Sequence, residues 1–365
     1  MNTKKCFVSI DLGRPAIWKV KPEDSNPLYL KSMPDWCILS PLIHHKLLVG
    51  RDSFSGKPQL VGIGEDFAVL RSQYIVFLVP SINVLQSLAP ARTSDSMSYF
   101  LQDFLPSMSR EFVRKLRYVT KQAGLPSEPG YGFIVGPDEP SMPAFPSASK
   151  GGNAIISTYE LDTAITADSL LSADELPSTE SISIHDSLIL DAIQALLERD
   201  YRRTLLYAAI AMETYGSTVL EDSYSNSLNV NPPPPHLRIS HFTLAGGHIK
   251  KKDPVFAYLA ERSKTDFAPL LHEMPLYLSG KSLLVDNEQL YQKAKRLYKT
   301  RNRIVHRGVV PEEDTDLFSF SFSDAKIGLQ TALDVCHWFG MSEHYPLPGN
   351  GHIELKRSEL ESPDL

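Results

Sequence analysis

The hydrophobic pattern of this chain changes period near its middle, and that change limits the folds open to it more than any other feature. Up to about residue 165 the apolar residues come in short runs bounded by turn formers. Beyond about residue 185 they recur every three or four positions over long stretches. Short runs fit strands and a 3.6-residue period fits helices, so one regular architecture cannot serve both halves. The expected class is α+β, with a mixed α/β domain over 1–165, a linker over 166–184, an all-α bundle over 185–345 and a tail over 346–365. A length of 365 residues also favours two cores over one.

Within the first half, residues 6–12, 46–50, 59–64 and 73–80 are rich in Val, Ile, Phe and Leu and read as strands. Residues 96–105 and 109–123 carry Phe100, Phe104, Phe112, Leu116 and Val119 at helical spacing, and Gly124-Leu125-Pro126 is the expected stop. Strand texture returns at 131–136 and 153–161, separated by a loop with four prolines over 137–152. The stretch 163–184 is polar, Ser-rich and acidic, as a boundary should be. Helices are expected over 187–199, 202–220, 254–262, 267–278, 286–306 and 323–339. Asp286 or Asn287 should cap the fifth, with Gly308 as its stop; Ser323 and Gly340 should bound the sixth. Residues 223–252, with Pro232 to Pro235 and Gly246-Gly247, form a long Pro-rich insert.

Composition narrows the function classes. Hydrophobic content of 42% and charged content of 22% are those of a globular protein, and a net charge of −6 argues against a protein that coats nucleic acid through its overall field. Any nucleic-acid contact must come from a local basic face. Cys6, Cys37 and Cys336 are too scattered for a disulfide framework or zinc knuckle, and His44-His45 lacks ligand spacing, so no metal and no cofactor are expected. Gly50 to Lys57 has Pro58 where a phosphate loop needs Ser or Thr. Asp11 and Arg14 interrupt the first apolar run, so no signal peptide is read, and no apolar run is long enough to span a membrane. A reduced cytoplasm is the expected compartment.

One basic string carries chemistry: Tyr298-Lys299-Thr300-Arg301-Asn302-Arg303-Ile304-Val305-His306-Arg307-Gly308. Arg forks onto phosphate oxygens and stays protonated, while His exchanges a proton near neutral pH. At about 100° per residue, Asn302 and His306 share a helix face, but Arg301 and His306 lie about 140° apart. Irregular geometry near Gly308, a long Arg reach or a second copy would have to bring them together. Upstream, Glu213 sits in the run Ala208-Ala209-Ile210-Ala211-Met212, where a carboxylate needs a partner.

The string resembles the R-x4-6-H signature of HEPN domains, a helical family that includes many metal-independent ribonucleases. The order of an α/β region before a helical domain is most similar to the Apea-like group linked to anti-phage defence. The resemblance implies an endoribonuclease in which the ribose 2′-OH attacks the adjacent phosphate. His306 would then move the proton, Arg301 would clamp the phosphate, Asn302 would orient Arg301 or substrate, and Glu213 would be the acidic residue of an early helix. Lys299, Arg303, Arg307, Lys250, Lys251 and Lys252 would contact RNA. The resemblance also implies a homodimer through the helical domain, a phage-derived or antitoxin regulator, and a sensing or restraining first half. The alternative is a non-catalytic HEPN module that binds nucleotide or RNA as a scaffold.

Overall fold

The computed structural model describes residues 5–33, 36–41, 59–79, 99–136, 153–177, 182–229, 241–244, 247–250, 254–263, 266–307 and 316–356. The chain is mixed α and β, and it divides into two compact units, Met1–Ile182 with Pro346–Leu365, and Ser183–Tyr345. No helix among the described residues is long and apolar enough to cross a membrane.

The first unit is built on an antiparallel sheet. Its long strands are β1 (Lys5–Val20) and β5 (Ala68–Val79), paired along most of their length. The other strands are β2 (Leu28–Tyr29), β3 (Cys37–Leu39), β4 (Gln59–Ile63), β6 (Gly130–Gly136) and β7 (Asn153–Ser157). β6 lies beside the first half of β1, and β3 and β4 share the far edge of β5. Beyond Leu12, where the sequence reading ended the first strand, β1 continues past Gly13-Arg14-Pro15 by a register shift. Gly13 has φ +69°, open to glycine at no steric cost, and its N–H donates to Asp11 Oδ1 at 2.8 Å. The turn formers mark a bulge there rather than an end.

Helix α1 (Leu105–Thr120) follows directly on a π-helical turn at Phe100–Phe104 and buries Leu105, Phe112, Val113 and Leu116. It ends at Thr120, before the expected Gly124 stop, because Lys121 takes the left-handed conformation and its Nζ sits 3.7 Å above the Tyr118 ring. The strand read over 153–161 stops at Ser157, whose side chain caps α2 (Thr158–Asp162) in a capping box with Glu160. Nor is 166–184 simply a linker. Thr166 caps α3 (Ala167–Glu175), and the buried Asp174 accepts hydrogen bonds from the backbone N–H groups of Lys31 and Ser32. The segment read as a tail supplies β10 (His352–Lys356), which pairs with β7 over five residues and touches β4 at Ile63. Gly62 permits that approach, since a Cβ there would meet Leu355 Cβ at 2.6 Å.

The second unit is mainly helical, with α4 (Ile184–Leu197), α5 (Tyr201–Asn229), α6 (Pro254–Arg262), α7 (Met274–Ser279), α8 (Leu283–Asp286), α9 (Glu288–Arg307) and α10 (Phe322–Trp338). It is not purely α, because a hairpin of β8 (His241–Leu244) and β9 (Gly247–Lys250) falls in the expected insert. Helix α5 packs against α4, α9 and α10 and is the centre of the bundle. It buries Leu205, Ala208, Ala209 and Met212 completely. On α10, Gly328 lets α5 and α9 approach closely, since a Cβ there would meet Leu205 Cδ2 at 2.5 Å and Leu297 Cδ1 at 3.4 Å. Gly340, at φ +103°, ends α10 as expected, but the cap is Ser321 rather than Ser323.

Candidate functional site

Helix α9 begins where Asn287 Oδ1 accepts the Leu290 N–H at 3.0 Å. Tyr291, Ala294, Leu297, Tyr298, Thr300 and Ile304 are its buried residues. At about 100° per residue, Arg301 lies within about 60° of Ala294, Leu297, Tyr298 and Ile304. Its side chain therefore leaves from the middle of the apolar face and points into the bundle. There it meets Glu213 of α5: Nη2 lies 3.5 Å from Glu213 Oε2, and both side chains are about a quarter exposed (28% and 22%). Nη1 donates to Asn302 Oδ1 at 2.7 Å.

This constellation has spare bonding capacity. Glu213 Oε1 and Arg301 Nε are both buried without a hydrogen-bond partner, and so is Arg303 Nε. Burial pushes the Glu213 carboxyl above its ordinary value, and the Arg301 charge opposes that rise without cancelling it. A half-buried carboxylate facing one guanidinium thus keeps one oxygen and one N–H unpaired.

The other polar residues of α9 divide. Arg296 donates to the Leu317 carbonyl at 2.6 Å and stacks 4.4 Å over the Phe318 ring, so it holds the segment before α10. Thr300 does the same from the next turn, with its Oγ1 accepting the Phe318 N–H at 2.9 Å. Lys299 pairs with Asp316 at 3.2 Å in an exposed contact. Arg303 is half-buried, and His306 and Arg307 are exposed. Val305 is 56% exposed beside them. The helix is regular α through Arg307, so no distortion up to that point swings His306 toward Arg301. Glu213, Arg301 and Asn302 are thus brought together, while His306 stands on another side of the same helix. Lys250 contributes backbone to β9; Lys251, Lys252 and Gly308 lie outside the described residues.

A second polar cluster in this unit escaped the sequence reading. Asp186 is buried, accepts from Ser183 Oγ at 2.6 Å and is hydrogen-bonded by the Tyr345 hydroxyl. The His185 ring packs 4.6 Å from the Tyr215 ring, and burial lowers the His185 pKa. The Ser-x-x-Asp spacing at 183–186 was a readable capping signal, but nothing local foretold Tyr345. Here the cap explains the carboxylate.

No protein family, no curated protein and no solved structure matches this chain.

Proposed function

We propose that the chain is a metal-independent endoribonuclease of HEPN type, acting as a toxin-like or anti-phage effector in the cytoplasm, with its helical unit as the catalytic domain and its first unit as sensor or restraint. The observation that carries this reading is the Arg301–Glu213 contact. The two residues come from helices far apart in sequence, meet within a largely apolar bundle, and keep unused hydrogen-bonding atoms. A purely structural ion pair would be expected to satisfy those atoms.

The reaction follows from the groups. His306 takes the proton of a ribose 2′-OH as that oxygen attacks the adjacent phosphorus. The bond from phosphorus to the 5′-oxygen breaks, and that oxygen takes a proton from water, whose hydroxide is neutralised by the proton that His306 gives up. The products are a 2′,3′-cyclic phosphate and a 5′-hydroxyl. Arg301 stabilises the charge on the phosphoryl oxygens, Asn302 orients it, and Glu213 holds it from behind. Because Arg301 and His306 leave one helix about 140° apart, the site is completed in a homodimer, where His306 of the partner subunit reaches the phosphate clamped by Arg301. Lys299, Arg303, Arg307 and Lys250 to Lys252 extend the basic surface for RNA.

Purified protein should cleave RNA in EDTA and leave 2′,3′-cyclic phosphate ends. His306→Ala should abolish cleavage without lowering the unfolding temperature, since the side chain is exposed. Full activity in that variant would refute the assignment. The same Arg301–Glu213 contact favours a second reading, in which the paired guanidinium supports a non-catalytic RNA-binding scaffold. That reading requires salt-dependent RNA binding with no cleavage under any condition.

A further inference from the structure

Helix α1 carries a row of cations that the ribonuclease reading does not use. It holds Arg110, Arg114, Lys115 and Arg117 against a single acid, Glu111, in a chain whose net charge is −6. At about 100° per residue, Arg110, Arg114 and Arg117 fall within about 60° of one another, and Lys121, the C-cap, continues the row. The buried Leu105, Phe112, Val113 and Leu116 lie on a different side, where they pack into the sheet core with Trp36 and Phe77. Glu111 is answered within the helix by Lys115 at 2.9 Å. Arg14 joins the row from the bulge in β1, its Nε donating to the Gly124 carbonyl at 2.7 Å.

A helix end attracts cations, and that accounts for part of the row. Arg117 Nε donates to the Ala123 carbonyl at 3.2 Å, and Arg14 and Lys121 stand at the same carbonyl end. The pull of the dipole fades within the last turn, and Arg110 and Arg114 stand earlier than that. Arg114 is exposed and pairs with no described residue, while Arg110 meets Glu128 at 3.2 Å in an exposed contact. Exposed pairs of this kind are weak and give way to a better anion. From Arg110 to Arg117 the row runs about 10 Å along the helix axis, in steps of one turn, so its anion must repeat. No exposed large apolar residue belongs to α1. That leaves nothing to insert into a lipid surface and no anchor for a protein interface. Lys121 Nζ covers the Tyr118 ring at 3.7 Å, so no base stacks there. One row of guanidiniums fits one row of phosphates. We propose that α1 binds the sugar-phosphate backbone of single-stranded RNA without reading its bases. The choice of RNA rests on the ribonuclease reading, but the residues are all outside those that reading uses.

The test measures binding of an oligouridine to the full chain by fluorescence anisotropy, over salt from about 50 to about 300 mM. His306→Ala is the background throughout, so that cleavage cannot consume the probe. For single strands, log K falls with log salt by about 0.7 per phosphate contacted. Arg110→Gln with Arg114→Gln should flatten that slope by about 1.4 and weaken binding about tenfold or more at 0.1 M salt. Both side chains are exposed, so the unfolding temperature should hold. Arg110→Lys with Arg114→Lys should restore the slope. Lys21→Gln with Lys281→Gln, an equal loss of charge at exposed positions elsewhere, should leave it unchanged. An unchanged slope in the Arg110 and Arg114 variant, or an equal fall in the Lys21 and Lys281 control, would overturn the proposal. So would equally tight binding of polyglutamate or of phosphatidylserine vesicles, which would point to an acidic protein or a membrane instead. The two readings separate. If wild type cleaves RNA while the α1 variant binds normally, this inference alone fails. If the chain never cleaves but the α1 variant loses RNA binding, it stands.

Discussion

Removing the charge of Glu213 tests whether Arg301 and Glu213 act as a unit. At 3.5 Å the bare attraction is about 1 kcal/mol at the dielectric of water and about 5 kcal/mol at an effective value near 20. Because about a quarter of each side chain remains exposed, the coupling should fall at about 1–3 kcal/mol. Burial holds the Glu213 carboxyl above its ordinary value of 4.5, so the folded state binds this proton more tightly than the unfolded chain does. The contribution of this group is therefore full below the ordinary value and is lost as pH rises through the raised one. Glu213→Gln should consequently gain on wild type as pH increases through that window, and at neutral pH it should cost little. Arg301→Ala removes the opposing charge and strands the carboxylate, so it should cost about 1–3 kcal/mol at neutral pH and less in acid. Urea unfolding of wild type, both single variants and the double variant, at pH 4.5 and 7.5 and fixed salt, gives the coupling directly. A value below about 0.5 kcal/mol at pH 7.5 would refute the pairing, as would a Glu213→Gln variant that loses ground with rising pH.

Three further outcomes follow from the same bundle. Thr300→Val leaves the buried Phe318 N–H without its 2.9 Å acceptor and should cost about 1–3 kcal/mol by urea unfolding, whereas Thr300→Ser should recover most of it. Gly328→Ala gains helix propensity of up to about 1 kcal/mol but drives a methyl into Leu205 at 2.5 Å; overpacking of about 1–3 kcal/mol should win, and a raised Tm would contradict the close approach. The Cys336 thiol is pushed up to about 12, chiefly by burial, so iodoacetamide at pH 8 should modify it only on unfolding; rapid labelling of native protein would show that the thiol is accessible.

Local signals were legible and distant pairings were not. Asn287 and Gly340 are marks that a helix end leaves in one or two residues, and both could be read because capping is a local reaction of backbone groups. Ser321 was passed over for Ser323 because both residues can cap, and only the Asp324 N–H donating to Ser321 Oγ decides between them. Gly13-Arg14-Pro15 looked like a strand end because bulges and turns use the same residues. Glu213 stood out because a carboxylate amid alanines must be answered by something. That its answer is Arg301 followed from no spacing in the chain. Arg296 and Thr300 anchor the Phe318 segment, and the sequence marks neither contact.

Strand β10 has a consequence for how the protein is made. It seats between β4 and β7, and its contact with α2, where the Thr158 N–H donates to the Gly351 carbonyl, joins residues 193 positions apart. A chain emerging from the ribosome presents the complete helical sequence before it can close this sheet. The facing edges of β4 and β7 must wait, without this partner, until residues 352–356 are translated, a period when exposed edges invite pairing with other chains. A stop codon, a degradative nick or a bulky fusion just before residue 346 would therefore injure the N-terminal sheet while sparing the sequence of the helical unit. A deletion that removes residues 352–356 and alters activity should first be examined for damage to the sheet.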